Sequence, residues 1–199
     1  MRFKLLLIVL VSILVASPAS AQKLSGIGAN LFGNNYFSFA KVNLQQAPVS
    51  TISVGPLKVK LQSTRLADIK KRFGGTVMSN GDATWLCYHL EGANVWFLSN
   101  PLGGQEFVMI VGVEASAKMP DGCEAAPEGF ALPDLGIPGL GAATAELKEA
   151  FGAASGGKVG YRHDRPGGYA DIAQYIGYML KGGKVSGYGV GETSVPTAH

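Results

Sequence analysis

Charge of either sign is scarce in this chain. Only 16% of its 199 residues are Asp, Glu, Lys or Arg, and the two signs nearly cancel. With Arg2 and Lys4 set aside, 15 of the 17 basic residues stand against 14 acids. No basic cluster interleaved with aromatic residues occurs, so nucleic acid is not among the partners the sequence suggests. Histidine is scarcer still: His89 and His163 are the two besides His199, the last residue. The H-E-x-x-H pattern, the EF-hand loop and the G-x-S-x-G elbow are all missing. Carboxylates are scattered, with no pair at acid/base spacing. His163 precedes Asp164, but adjacent residues on a strand point to opposite faces. Gly-rich pieces such as Gly139-Leu140-Gly141 lack the P-loop lysine and follow no βαβ pattern. The sequence therefore implies no cofactor, no metal and no catalytic residue.

Long apolar runs are missing too, apart from Leu5 to Val15. That run follows Arg2 and Lys4 and precedes Ala19-Ser20-Ala21, the order of a signal peptide with its small-x-small cleavage site. We expect a signal peptide over 1–21, a start at Gln22 and a periplasmic or secreted protein with no stable membrane span after cleavage. No Cys follows the apolar run to carry a lipid anchor. Cysteine occurs twice, at Cys87 and Cys123. An even count in an exported chain favours a disulfide. Two buried thiols are the alternative, and a metal pair fits less well because no C-x-x-C or His cluster accompanies them.

Glycine is plentiful, at 28, which suits tight turns between many short strands. Residues 22–56 form an N-terminal segment. Phe32, Tyr36, Phe37 and Phe39 stand there around a Gly33-Asn34-Asn35 turn signal. Leu57, Val59 and Leu61 then alternate with Lys58 and Lys60, as in a half-buried strand. Leu66, Ile69 and Phe73 fall on one helix face, with Ser63 or Thr64 as N-cap and Gly74-Gly75 as the stop. Trp85 to Leu90, Val95 to Leu98 and Phe107 to Val113 read as strands. A phrase from this helix returns 78 residues later. Ala67-Asp68-Ile69-Lys70-Lys71-Arg72-Phe73-Gly74 is echoed by Ala145-Glu146-Leu147-Lys148-Glu149-Ala150-Phe151-Gly152. Strand patterns follow again, at Val159 to His163, Gln174 to Leu180 and Val185 to Val190, with a hairpin signal at Lys181-Gly182-Gly183-Lys184. The expected fold is α+β. Two similar units, 57–114 and 135–199, each carry a short helix and an antiparallel sheet of three to four strands, joined by a linker over 115–134.

A short helix ending in aliphatic-Lys-x-x-Phe-Gly and followed by antiparallel strands resembles the repeat of the SmpA/OmlA/BamE outer-membrane proteins. Used in tandem, it resembles the beta-lactamase inhibitor protein family. The resemblance covers 57–113 and 135–190 and implies a scaffold that binds another protein through exposed sheet and loops. The missing lipid-anchor Cys departs from the SmpA/OmlA/BamE pattern. Strand phase places Trp85, Cys87 and His89 on one face, opposite Leu86, Tyr88 and Leu90, and places Trp96 opposite Phe97. If each helix covers one face, the other shows Trp85 and Trp96, and Tyr175 in the second unit. These are the candidate binding residues for a protein partner, unless residues 22–50 or the other unit close that face. The expected function is thus an exported, non-enzymatic protein-binding module of the envelope or periplasm. The alternatives are a periplasmic hydrolase whose site is unrecognised and a structural envelope accessory protein.

Overall fold

The computed structural model describes residues 23–32, 40–152 and 155–195. The signal segment 1–21, the Gln22 start, the Gly33-Asn34-Asn35 turn and the aromatics Tyr36, Phe37 and Phe39 lie outside the described residues. In chain order the elements are α1 (Gly26–Leu31), β1 (Ala40–Asn43), β2 (Ile52–Val54), β3 (Leu57–Val59), α2 (Leu66–Phe73), β4 (Met78–Ser79), β5 (Thr84–Leu90), β6 (Ala93–Ser99), β7 (Ile110–Ala115), β8 (Glu124–Ala125), α3 (Thr144–Phe151), β9 (Lys158–Arg165), β10 (Asp171–Lys181) and β11 (Lys184–Val195).

Both helices that carry the repeated phrase form, with Arg65 and Ala143 at their N-caps, so neither Ser63 nor Thr64 caps the first as expected. Asp68 and Glu146, three residues inside, reach back to accept the backbone N–H of Arg65 at 3.0 Å and of Ala143 at 2.7 Å. An acid in the first turn also suits the positive end of the helix dipole. Thr64 instead accepts the N–H of Lys60, and Thr144 donates its hydroxyl to the Gly183 carbonyl. Each helix stops at a glycine of positive φ, Gly74 or Gly152. The β10–β11 turn places Gly182 and Gly183 at φ of 60° and 73°, the left-handed pair that a two-residue hairpin requires.

The strands overturn the expected fold class. They do not make two small sheets but one mixed, mostly β, nine-stranded sheet in the order β1-β9-β10-β11-β7-β6-β5-β4, with β8 pairing β5. The junction is an antiparallel ladder between β11 and β7, from Gly187↔Glu114 to Gly191↔Ile110. Two separate meanders would each leave an open edge of backbone donors and acceptors; pairing β7 with β11 satisfies both. β1 adds a parallel edge strand beside β9, and β2 and β3 form a small separate hairpin. The span expected to be a linker holds β8, which lies parallel to β5.

The sheet has two covered faces. One carries α2, α3 and the β2–β3 hairpin over Leu86, Tyr88, Val95, Phe97, Tyr161, Ile176 and Tyr178. Phe73 meets Tyr88 and Phe130 edge-on, and half-buried Phe151 lies against Tyr161 and Tyr178. Burial pushes the phenol pKa values of Tyr88, Tyr161, Tyr178 and Tyr188 upward, and the Glu124 carboxylate adds to the effect at Tyr88. The opposite face is covered by α1.

Candidate functional site

Cover by α1 decides the fate of the expected binding residues. Trp85, Trp96 and Tyr175 do lie on the face opposite α2 and α3, but their exposures are 1%, 0% and 6%. Ile27, Leu31 and Leu24 pack over them. Tyr175 donates its hydroxyl to the Leu31 carbonyl at 3.3 Å. As placed, these three side chains are core and offer no surface to a partner. The cover fits because β11 alternates Gly187, Gly189 and Gly191 on this face. A Cβ on Gly189 would sit 2.5 Å from both a Leu31 methyl and the Val111 carbonyl oxygen, and one on Gly191 would overlap the Tyr175 ring. The indole N–H groups of both Trp85 and Trp96 are buried and have no hydrogen-bond partner among the described residues. Cys87 and Cys123 are joined as a disulfide with Cα atoms 4.4 Å apart, tying the stretch before β8 to β5.

The two internal histidines, given no role by the sequence, each begin a polar row across three strands. On the α1 face, cross-strand pairing sets His89 beside Asn94 and Asn94 beside Glu114. His89 Nδ1 lies 2.6 Å from Asn94 Oδ1, and Asn94 Nδ2 donates to Glu114 Oε1 at 3.3 Å. Glu114 Oε2 accepts the Ile27 N–H at 2.7 Å, so this row holds the start of α1. On the other face the register sets His163 beside Gln174 and Gln174 beside Glu192. His163 Nδ1 lies 3.1 Å from the Leu44 carbonyl oxygen. Gln174 brackets Val49, accepting its N–H at 2.8 Å and donating to its carbonyl at 2.9 Å. The N-terminal segment is thus fastened to both faces of the sheet. Each histidine is hydrogen-bonded through Nδ1, His89 to Asn94 and His163 to the Leu44 carbonyl.

The second row continues into a cleft of about 320 Å³. Gln174 Nε2 donates to Glu192 Oε1 at 3.0 Å, and Gln62 Nε2 donates to Glu192 Oε2 at 3.2 Å. Lys60 and Arg165 line the same cleft. One wall is the 59–63 stretch, which with the residues after it pairs with the strand entering β7: Gln62 donates to Val108, Val108 to Thr64, and Leu66 to Glu106. A sequence signal for this site existed. Gln174 shares strand phase with Ile176 and Tyr178, and Glu192 with Tyr188 and Val190, so each is a polar residue in the apolar phase.

Arg165 and Ile172, on the cleft wall, are joined by the loop 166–170, whose Tyr169 is fully exposed at 105%. The Ala170 carbonyl occupies the space a Cβ on Gly167 would need, so the loop folds tightly on itself. The β6–β7 connection, with Leu102 at 67% exposure, emerges at the same end of the sheet, because Ile110 pairs with both Leu98 and Gly191. Among the described residues no group of three His, Cys, Asp or Glu side chains could hold a metal, and no helix is long and apolar enough to cross a membrane. No family model, curated protein or solved structure matches this chain.

Proposed function

We propose that this chain is an exported, non-enzymatic binding module that engages another protein with the end of the sheet carrying Tyr169, Leu102 and the Glu192 cleft. The observation that carries the reading is Tyr169. A tyrosine left wholly in solvent on a tight loop, anchored by two long strands of a nine-stranded sheet, is a pre-positioned anchor. Its ring gives nothing to the fold of this chain, while burial against a partner would remove its apolar surface from water. Leu102 supplies a second exposed apolar side chain at that end. The resemblance to the SmpA/OmlA/BamE repeat, whose members bind protein through sheet and loops, points the same way.

The test is affinity for a protein recovered on the immobilised mature chain from envelope extract. Tyr169→Ala should weaken that complex by about 2 kcal/mol, roughly thirtyfold. The variant should leave thermal unfolding unchanged, since the ring is outside the core. Equal affinity of the Tyr169→Ala and Leu102→Ala proteins and the unaltered chain for the recovered partner would remove this end of the sheet as the binding surface.

A further inference from the structure

A carboxylate in the wall of a cleft calls for positive charge beside it. Glu192 is half-buried, and both its oxygens are bonded by neutral carboxamides, those of Gln174 and Gln62. Neither donor cancels the charge. Among the described residues the ion pairs join Arg65 to Glu106 and Arg162 to Asp164; Glu192 is in neither. Lys60 and Arg165 line the cleft but neither forms one of these ion pairs with Glu192, so a cation in direct contact with the carboxylate would add to what the two amides give it. The site is also firmly built. Gln174 is 5% exposed and held at both ends of its carboxamide by Val49. Gln62 has a φ of 60°, a left-handed conformation that is strained for a non-glycine residue. Its N–H donates to the Val108 carbonyl at 2.8 Å, which holds it there. Two amides therefore orient one carboxylate, and the space before it is open.

We propose that this cleft receives a single alkylammonium or guanidinium group with Glu192 as its counter-ion, and that the group is a Lys or Arg side chain of the protein partner. The source of the cation rests on the binding reading above; the chemistry rests on the cleft alone. Lys60 and Arg165 on the cleft lining set the specificity. They repel a bare cation but attract carbonyl or carboxylate oxygens next to it, which a side chain carried on a peptide brings with it.

The experiment titrates isotope-labelled full chain with three probes while following the side-chain amide resonances of Gln62 and Gln174. The probes are N-acetyl-lysine methylamide, N-acetyl-norleucine methylamide, which has a similar stem without the ammonium, and n-butylamine. The lysine derivative should shift both amides saturably, with a Kd on the order of millimolar. The norleucine derivative should not, and n-butylamine should bind at least about tenfold more weakly. Glu192→Gln should abolish the response. No shift with the lysine derivative, or an equal one with norleucine, overturns the site. Binding of n-butylamine as tight as that of the lysine derivative overturns the protein source. The norleucine comparison uses the unaltered chain, so it tests the site however the Glu192→Gln protein folds. Loss or retention of partner binding in Tyr169→Ala leaves these outcomes untouched, so the two readings fail separately.

Discussion

Gly26 shows how a single side chain would break the attachment of the N-terminal segment. Its φ of 58° lies in the left-handed region, and a Cβ there would overlap the Glu114 carboxylate. That carboxylate is bonded to the Ile27 N–H and to Asn94, which is 1% exposed. Gly26→Ala therefore has to strain the backbone and displace Glu114 together, leaving a buried carboxamide short of an acceptor. The expected loss is about 1–3 kcal/mol in urea unfolding. A loss under about 0.5 kcal/mol would mean that α1 is not held at Glu114. Nothing in the sequence marks this contact. Gly26 sits in Gly-Ile-Gly-Ala-Asn-Leu, a stretch whose glycines disfavour a helix, and only packing on the sheet makes it helical. The burial of Trp85 and Trp96 is illegible in the sequence for the same reason. Strand phase tells which face a side chain takes, but not whether a six-residue helix of weak propensity will cover that face.

Local order is readable because it is written in side chains. Leu66, Ile69 and Phe73 at helical spacing, the Gly stops, and the alternation along β5, β6 and β10 all carry their signal in residue type. The join between β7 and β11 is made by backbone hydrogen bonds, which any sequence can supply, so residue patterns suggest two sheets where one exists. The disulfide is a second element-scale join. It links β5 to the stretch before β8 across a sequence separation of 36 residues. Both sulfurs belong to the buried α1-side cluster. Paired Cys87→Ser and Cys123→Ser substitutions should lower stability by about 3–4 kcal/mol on the chain-entropy model. The β5–β8 ladder holds only two residue pairs, so its amides should lose most of their hydrogen-exchange protection when the link is cut. Protection of Glu124 and Ala125 unchanged in the double variant would show that the strand holds without the bridge.

At the scale of the whole molecule, four tyrosines tie stability to pH. Tyr88, Tyr161, Tyr178 and Tyr188 lie on the face beneath α2, α3 and their connections, each at most 6% exposed. Tyr88 donates its hydroxyl to the Gly74 carbonyl at 2.7 Å, just past the end of α2; Tyr178 donates to Pro138 at 3.0 Å and Tyr188 to Pro133 at 3.4 Å. These three phenols fasten the layer above the sheet, and each needs its proton to do so. Burial raises all four pKa values above the ordinary 10.0, with Glu124 adding to it at Tyr88, Tyr188 and Tyr161 at Tyr178, and Asp134 at Tyr188. The folded state thus binds these protons more tightly than the unfolded chain. Their contribution is fully present below about pH 10 and is lost as pH rises beyond it, because the unfolded chain ionises first. Each such proton contributes about 1.4 kcal/mol per pH unit between the unfolded and folded pKa values, so stability falls as pH rises above about 10. Alkaline unfolding should therefore begin above about pH 10 and accompany ionisation of these rings. Tyrosinate absorbance from the buried rings and far-ultraviolet circular dichroism, followed together against pH, should change in one step. Ionisation of those rings while the dichroism of the sheet persists would show that the phenol-to-carbonyl bonds do not hold the two layers together.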